Sequence, residues 1–206
     1  MILEDGLRRT LRHVAEFYDR RKVGDVGPLG FRRSTDLGRL LSCLEPMVDN
    51  GLLVPGRSLF LDLGAGDGRV NVLFSYLVRL SAGIELDEWT LDEYCPLKGD
   101  LESELAEAGL SPPPENLFLL NGDSTDESLH KALQAKTGFA FKDFDLFYTY
   151  LTMIEEFADL IARKAKPGAV FMAYGLEKVI PRLPGLELLT PEEPLQGILG
   201  LYRKPL

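Results

Sequence analysis

The run Leu61-Asp-Leu-Gly-Ala-Gly-Asp-Gly-Arg69 joins three alternate glycines to the end of an apolar segment, Ser58-Leu-Phe-Leu-Asp-Leu63. Val70, Leu73, Phe74 and Leu77 follow at helical spacing. The pattern predicts a strand, a tight turn and a helix from about Asp67 to Leu80. Gly64, Gly66 and Gly68 have no Cβ, so the backbone there can turn sharply and approach a ligand closely. The spacing is GxGxG. A dinucleotide fingerprint would read GxGxxG, and Arg69 stands where its third glycine is needed. Asp67 would oppose a pyrophosphate at the helix start and suits a cationic ligand better. No GKS or GKT occurs, which excludes a P-loop.

Outward from this turn, strands and helices alternate. Ala82-Gly-Ile-Glu-Leu86 reads as a second strand, followed by a helix that Cys95-Pro96 interrupts and Asp100 restarts until Gly109. The triple proline Pro112–Pro114 leads into a third strand, Asn116-Leu-Phe-Leu-Leu120. Ser124 or Thr125 is the expected cap of a helix running to about Lys136. Phe144-Asp-Leu-Phe-Tyr-Thr-Tyr150 is a fourth strand, and Thr152-Met-Ile-Glu155 has the spacing of a capping box before an apolar helix face. Ala169–Tyr174 is a fifth strand, and Leu186–Leu189 with Gly197–Tyr202 a closing pair. Before all this, Ile2–Arg21 and Asp36–Asn50 read as helices, joined by the connector Val23–Gly30, with Ser34 or Thr35 as the second helix's cap. Residues 1–55 are thus expected as an N-terminal helical extension or lid, and 56–206 as the ligand-binding domain.

Such alternation implies a three-layer α/β sandwich, a mostly parallel sheet covered by helices on both faces. Ligands in such sheets lie beyond the C-terminal strand ends. Two further acids fall there. Glu85 ends the second strand, where a carboxylate can accept from both hydroxyls of a ribose. Asp123, in Asn121-Gly-Asp-Ser124 after the third, is placed to accept from an adenine amino group.

With these residues the chain resembles the seven-strand, class I Rossmann-like superfamily of S-adenosylmethionine-dependent methyltransferases, over about Ser58–Arg203. The resemblance implies that Asp62, Leu63, Gly64, Ala65, Gly66, Asp67 and Gly68 border the methionine end of the cofactor. It puts Glu85 and Leu86 at the ribose, and Asp123 and Ser124 at adenine. It also makes the closing pair the superfamily's antiparallel C-terminal hairpin, and S-adenosylhomocysteine the product. A narrower likeness to small archaeal and mitochondrial protein-lysine methyltransferases lies in Asp62–Val70 and Gly83-Ile-Glu-Leu86. Phe31-Arg-Arg-Ser-Thr35 and the Cys95–Pro114 region depart from that group.

The fourth strand would face the methyl acceptor, and Phe31, Tyr148 and Tyr150 are candidate walls of its pocket. No catalytic base is identified. The Asn- or Asp-Pro-Pro-aromatic motif of exocyclic-amine base methyltransferases does not occur here. Together with the formal charge of −9, this favours a protein lysine or a small molecule over nucleic acid. The charge is uneven: between Arg8 and Arg33 eight Lys or Arg face Glu16, Asp19 and Asp25. That run is either a solvated helix face or a surface for an acidic partner. A regulatory module that binds the cofactor without chemistry remains an alternative, and the GxGxG spacing disfavours an NAD-linked oxidoreductase. Cys43 and Cys95 form no CxxC pair and no metal set with His13 and His130. No apolar run nears the roughly 18 to 20 residues of a membrane span. Met1-Ile-Leu-Glu-Asp5 lacks the order of a secretory signal, so a cytoplasmic setting is expected.

Overall fold

A computed structural model describes residues 4–21, 26–27, 30–31, 34–176, 180–190 and 193–206; for 26–27 and 30–31 it describes the backbone alone. Helix α1 (Asp5–Asp19) leads to the two-residue strands β1 (Val26–Gly27) and β2 (Gly30–Phe31), then to α2 (Leu37–Asp49). The alternating part comprises β3 (Leu59–Leu63), α3 (Arg69–Ser75), β4 (Leu80–Glu85), α4 (Glu88–Asp92), α5 (Tyr94–Glu107), β5 (Leu117–Asn121) and α6 (Glu127–Thr137). It continues with β6 (Leu146–Tyr150), α7 (Ile154–Lys164), β7 (Val170–Tyr174), β8 (Glu187–Leu188) and β9 (Leu199–Arg203).

Seven strands form one sheet in the order β5-β4-β3-β6-β7-β9-β8. The first five run parallel, while β9 pairs antiparallel with both β7 and β8. This is the seven-strand α/β architecture with antiparallel C-terminal strands. Strand order reverses at β3, which has β4 on one side and β6 on the other. A crevice therefore opens at its C-terminal end.

Side chains alternate across the sheet and feed two cores. Phe60, Leu146, Tyr148, Met172 and Leu201 join Leu11, Val14 and Tyr18 of α1 and Leu40, Leu44 and Met47 of α2 in one core. Leu61, Leu63, Phe147, Phe171 and Tyr202 meet Phe157, Leu160 and Ile161 of α7 on the other side. The N-terminal helices thus complete a layer of the sandwich. Of the helix expected from Ile2, the start lies outside the described residues.

Several boundaries differ from the sequence reading, each for a local reason. The expected long helix is α3, only Arg69–Ser75: Gly68 (φ 76°) begins it, and the Phe74 carbonyl accepts from Leu77 and Val78 in a closing turn. Cys95-Pro96 does not break a helix. Pro96 sits in the first turn of α5, where no intrahelical N–H is required, and the break falls earlier, between Asp92 and Tyr94. Asp36 caps α2 in place of Ser34 or Thr35, and Asp126 caps α6 in place of Ser124 or Thr125. The capping box at Thr152 is absent. Thr152 Oγ1 donates to the Tyr150 carbonyl (3.0 Å), and Met153 precedes α7 in a left-handed conformation. The described part of the basic run, Arg8–Arg21, is largely a solvated face with arginines that find acids: Arg8 with Glu45, Arg20 with Glu104 and Arg21 with Glu93; the rest of its cations lie outside the described residues.

The tightest packing against the glycine turn is at Gly83 in β4. A Cβ there would lie 2.6 Å from Asn71 Oδ1 and 2.7 Å from Ala65 Cβ and Leu119 Cδ2. Gly83→Ala is therefore expected to destabilise the fold by about 1–3 kcal/mol. Gly99→Ala, in the open on α5, should be stabilising by about 0.5–1 kcal/mol. Urea unfolding of the two variants checks the contrast, and equal midpoints would refute the crowding.

Candidate functional site

Beyond β3 the backbone passes through three positive-φ glycines, Gly64 (φ 114°), Gly66 (φ 58°) and Gly68 (φ 76°). The first two turns fold the chain back against β4: Gly64 N and Ala65 N both donate to the Ile84 carbonyl at 2.9 Å. Glu85, at the tip of β4, then clasps the loop. Its Oε2 accepts from Gly66 N (2.7 Å) and its Oε1 from Asp87 N (2.9 Å). Gly68 serves packing, because a Cβ there would meet Tyr94 at 2.7 Å.

A cavity of about 590 Å³ opens here. It lies within the usual range of small-molecule sites, roughly 300–1,000 Å³. Asp62, Leu63, Gly64, Ala65, Gly66, Asp67, Glu85, Leu86, Asp123 and Ser124 all line it, as do Tyr148 and Tyr150. Of the residues singled out from the sequence, Gly68 is not in the lining, and the Phe31 side chain lies outside the described residues. The loop and the two acids at successive strand ends therefore share one cavity.

Four of the cavity's carboxyl groups meet different surroundings. Asp67 is buried and neutralised: Arg69 Nη2 lies 2.7 Å from its Oδ2 and Arg69 Nε 3.0 Å from Oδ1. The guanidinium in turn lies over the Tyr18 ring of α1, 5.5 Å from its centroid. This corrects the reading of Asp67 as an acid turned to a cationic ligand. Glu85 is held by the two amides. Asp62, wholly buried, has no hydrogen-bond partner on either oxygen among the described residues. Burial first, then the negative Glu85 and Asp67, push its carboxyl well above the usual carboxylate range. Asp123 is exposed, and its Oδ1 accepts from Thr125 N and Thr125 Oγ1 (2.8 Å each).

The opposite wall comes from β6 and the segment before α2. Tyr148 is buried, its hydroxyl 2.7 Å from Thr35 Oγ1, and burial pushes its ionisation far upward. Tyr150 packs on Tyr174 (centroids 5.3 Å apart), whose hydroxyl donates to the Asp36 carbonyl (3.2 Å). Leu151 (φ 47°) and Met153 (φ 49°) continue the lining in a conformation unusual for residues with a Cβ. Sequence reasoning missed these two, together with Ser34, Thr35, Arg69, Asp87, Thr90 and Phe157. Asp87 left a signal: it stands three residues before Thr90 and caps α4.

No protein-family model matches the chain, and no curated protein matches its sequence. Solved structures do resemble it. The Escherichia coli protein yhhF, assigned as a methyltransferase, superposes with a TM-score of 0.50 at 16% identity, covering 89% of this chain and 90% of its own. An RNA methyltransferase from Salinibacter ruber in complex with S-adenosyl-L-homocysteine gives 0.47 at 15%, covering 79% and 90%. TYW2 of P. horikoshii in complex with MeSAdo gives 0.48 at 17%, covering 84% and 62%. The chain shares the seven-strand fold found in methyltransferases. A shared fold does not set the acceptor, and the preference against nucleic acid gains no support from these comparisons.

The buried ion pair is open to test. Arg69→Met would leave Asp67 buried without its counter-charge, a loss of about 3–5 kcal/mol. Adding Asp67→Asn should recover much of it. Chemical unfolding of the single and double variants measures this, and additive losses would refute the pairing.

Proposed function

We propose that the protein is an S-adenosylmethionine-dependent methyltransferase. The observation that carries the reading is the convergence of Asp62, the Gly64–Gly66 turn, Glu85 and Asp123 on one cavity at the reversal of strand order. The residues fit the cofactor. A cationic amino-acid end would give the orphaned Asp62 oxygens their missing donors. Glu85 can exchange its loop amides for ribose hydroxyls. Leu86, 60% exposed beside it, offers an apolar face to a base, and in this reading Asp123 accepts from the adenine amino group. The yhhF-like fold supports the same reading.

The cofactor, when bound, supplies a methyl carbon made electrophilic by its sulfonium. The protein's part is placement: to hold the acceptor in line and exclude water, which can account for much of the rate. Tyr148 is a wall and not a base, since its hydroxyl is engaged by Thr35 and its phenolate is disfavoured by burial. Tyr150, Leu151 and Met153 form the rest of that wall.

For the acceptor we favour an amine on a protein lysine or a small molecule over nucleic acid. The supporting observation is the sign of the lining among the described residues, where Glu85, Asp87 and Asp123 are acidic and the one lining cation, Arg69, is paired with Asp67. A polyanion would meet repulsion there. Retention of the cofactor without chemistry is the competing reading. A cytoplasmic setting accords with the free thiols, Cys43 buried and Cys95 exposed, and no helix among the described residues is long and apolar enough to cross a membrane.

Calorimetry should detect S-adenosylmethionine binding. Glu85→Ala is expected to weaken it by about 1–3 kcal/mol through unpaired ribose hydroxyls. Gly66→Val should weaken it by forcing a β-branched residue into φ 58° and obstructing the ligand. A tritiated-methyl screen on host lysate, fractionated into protein, nucleic acid and small molecules, should label the protein or small-molecule fraction. Binding with no labelled fraction would favour the regulatory module. Wild-type affinity in both variants would refute the site.

A further inference from the structure

Four of the six large apolar side chains exposed among the described residues, Leu86, Trp89, Leu151 and Met153, belong to two segments at the mouth of the cavity. The other two lie at the opposite edge of the sheet, Val54 ahead of β3 and Leu206 beside Gly168 ahead of β7. Leu86, Leu151 and Met153 are part of the lining, and Trp89, 78% exposed, stands between the lining residues Asp87 and Thr90. In the cofactor reading a base covers Leu86, which leaves Trp89, Leu151 and Met153 bare. Leu151 and Met153 also hold left-handed backbone, unfavourable for a residue with a Cβ, and still present apolar side chains to water. Apolar side chains gathered at one exposed place mark a surface that another molecule covers.

The same mouth is acidic. Residues 87–97, 121–130 and 151–162 contain no Lys or Arg. Glu93, Glu127 and Asp159 have basic partners in Arg21, Lys164 and Arg163. Glu88 and Asp92 of α4 and Glu155 and Glu156 of α7 are exposed and form no ion pair among the described residues. Neither these four acids nor Trp89 line the cavity. A small amine inside it would reach none of them, so whatever covers the mouth extends beyond the cavity. A nucleic acid or an anionic lipid surface would meet like charge. A purely apolar partner would cover the carboxylates and leave them unpaired. The complementary surface carries cations and apolar groups together.

We propose that the cavity mouth docks a segment of a partner protein that combines apolar side chains with lysine or arginine. The α4 and β6–α7 segments flank the tip of β3, since β4 and β6 are its two neighbours in the sheet. Trp89 on one flank and Leu151 with Met153 on the other take the apolar side chains. Glu88, Asp92, Glu155 and Glu156 take the cations around them. An aromatic anchor supplies most of the affinity of such a surface, and the charged rim supplies orientation and selectivity. The proposal rests on the methyltransferase reading in taking a lysine of that segment as the acceptor, which makes the acceptor a protein and not a free metabolite. Docking itself is measured without transfer.

The test is selection of a displayed library of random peptides on the folded protein, with and without S-adenosylhomocysteine, followed by titration of the selected peptides. These should be enriched in Lys or Arg together with large apolar residues. Trp89 is the chain's one tryptophan, so docking should shift its emission to the blue. Measured by anisotropy of labelled peptide, affinity should fall about tenfold or more in Trp89→Ser, the loss of an aromatic anchor. It should fall about threefold to tenfold in the combined Glu88→Gln, Glu155→Gln, Glu156→Gln variant, and again as salt rises from about 0.1 to 1 M. Glu187→Gln, on the far strand β8, should leave it unchanged. No enrichment, enrichment of acidic or purely apolar peptides, or affinity that survives both mouth variants would overturn the docking surface. Tritium label confined to the small-molecule or nucleic-acid fraction would overturn it as well. S-adenosylhomocysteine binding to the same protein separates the two readings: binding with failed docking keeps the cofactor reading alone, and docking without binding keeps the surface alone. Should the combined variant fail to fold, Trp89→Ser and the salt titration still decide.

Discussion

The Glu85 carboxylate holds two separate pieces of backbone at once, Gly66 N in the loop after β3 and Asp87 N in the turn after β4. The shape of the site follows from that clasp. Parallel neighbours share hydrogen bonds only as far as their strands run, and past Leu63 and Glu85 the two chains would be free to diverge. The Ile84 carbonyl takes the first two loop amides, and Glu85 takes the next available one. Gly83 must be bare for this to work, because Ala65 and Asn71 occupy the space where its Cβ would go. The loop is thus preorganised by the neighbouring strand.

Three acids in so small a space set an electrostatic problem, and the fold meets it in three ways. Asp67 is matched by a buried arginine with bidentate geometry. Glu85 is matched by amides. Asp62 is matched by no group among the described residues. The first arrangement is a structural ion pair that would be costly to break and contributes little net binding charge. In the cofactor reading proposed above, the second is exchangeable, since ribose hydroxyls can replace amides, and the third takes its donors from the ligand. Reading the acids by sequence position alone merges these roles; their surroundings separate them.

That separation marks how far the amino-acid order was legible. The strand and turn around Gly64–Gly68, the acids at the next two strand ends and the two closing strands were all readable, because each is written in local periodicity or in glycine, while the antiparallel course of the closing pair was implied by the family resemblance alone. Some local chemistry misled. Thr152 and Glu155 have capping-box spacing, yet Thr152 turns back to the Tyr150 carbonyl and Met153 takes the left-handed position. Aspartates also displaced nearby Ser and Thr as caps at Asp36 and Asp126. Other features were illegible in principle. Nothing local to Arg69 shows that Tyr18, 51 positions earlier, covers it, and nothing in either segment announces that Thr35 will meet Tyr148.

These long-range ties give the N-terminal segment its place in the argument. Asp19, at the end of α1, accepts from Leu37 N and Gly38 N at 2.9 Å each, so α1 helps cap α2. Tyr18, its neighbour in sequence, packs against the guanidinium that neutralises Asp67. Thr35 and Asp36, between the β1–β2 pair and α2, receive the hydroxyls of Tyr148 and Tyr174. A purely hinged cover would meet the domain through exposed, exchangeable contacts, whereas the Tyr18 and Thr35 contacts are buried and the Leu37 contact half-buried. Displacing α1 would uncover Arg69, weaken its hold on Asp67 and loosen the loop that Glu85 clasps. The helices therefore support the glycine turn.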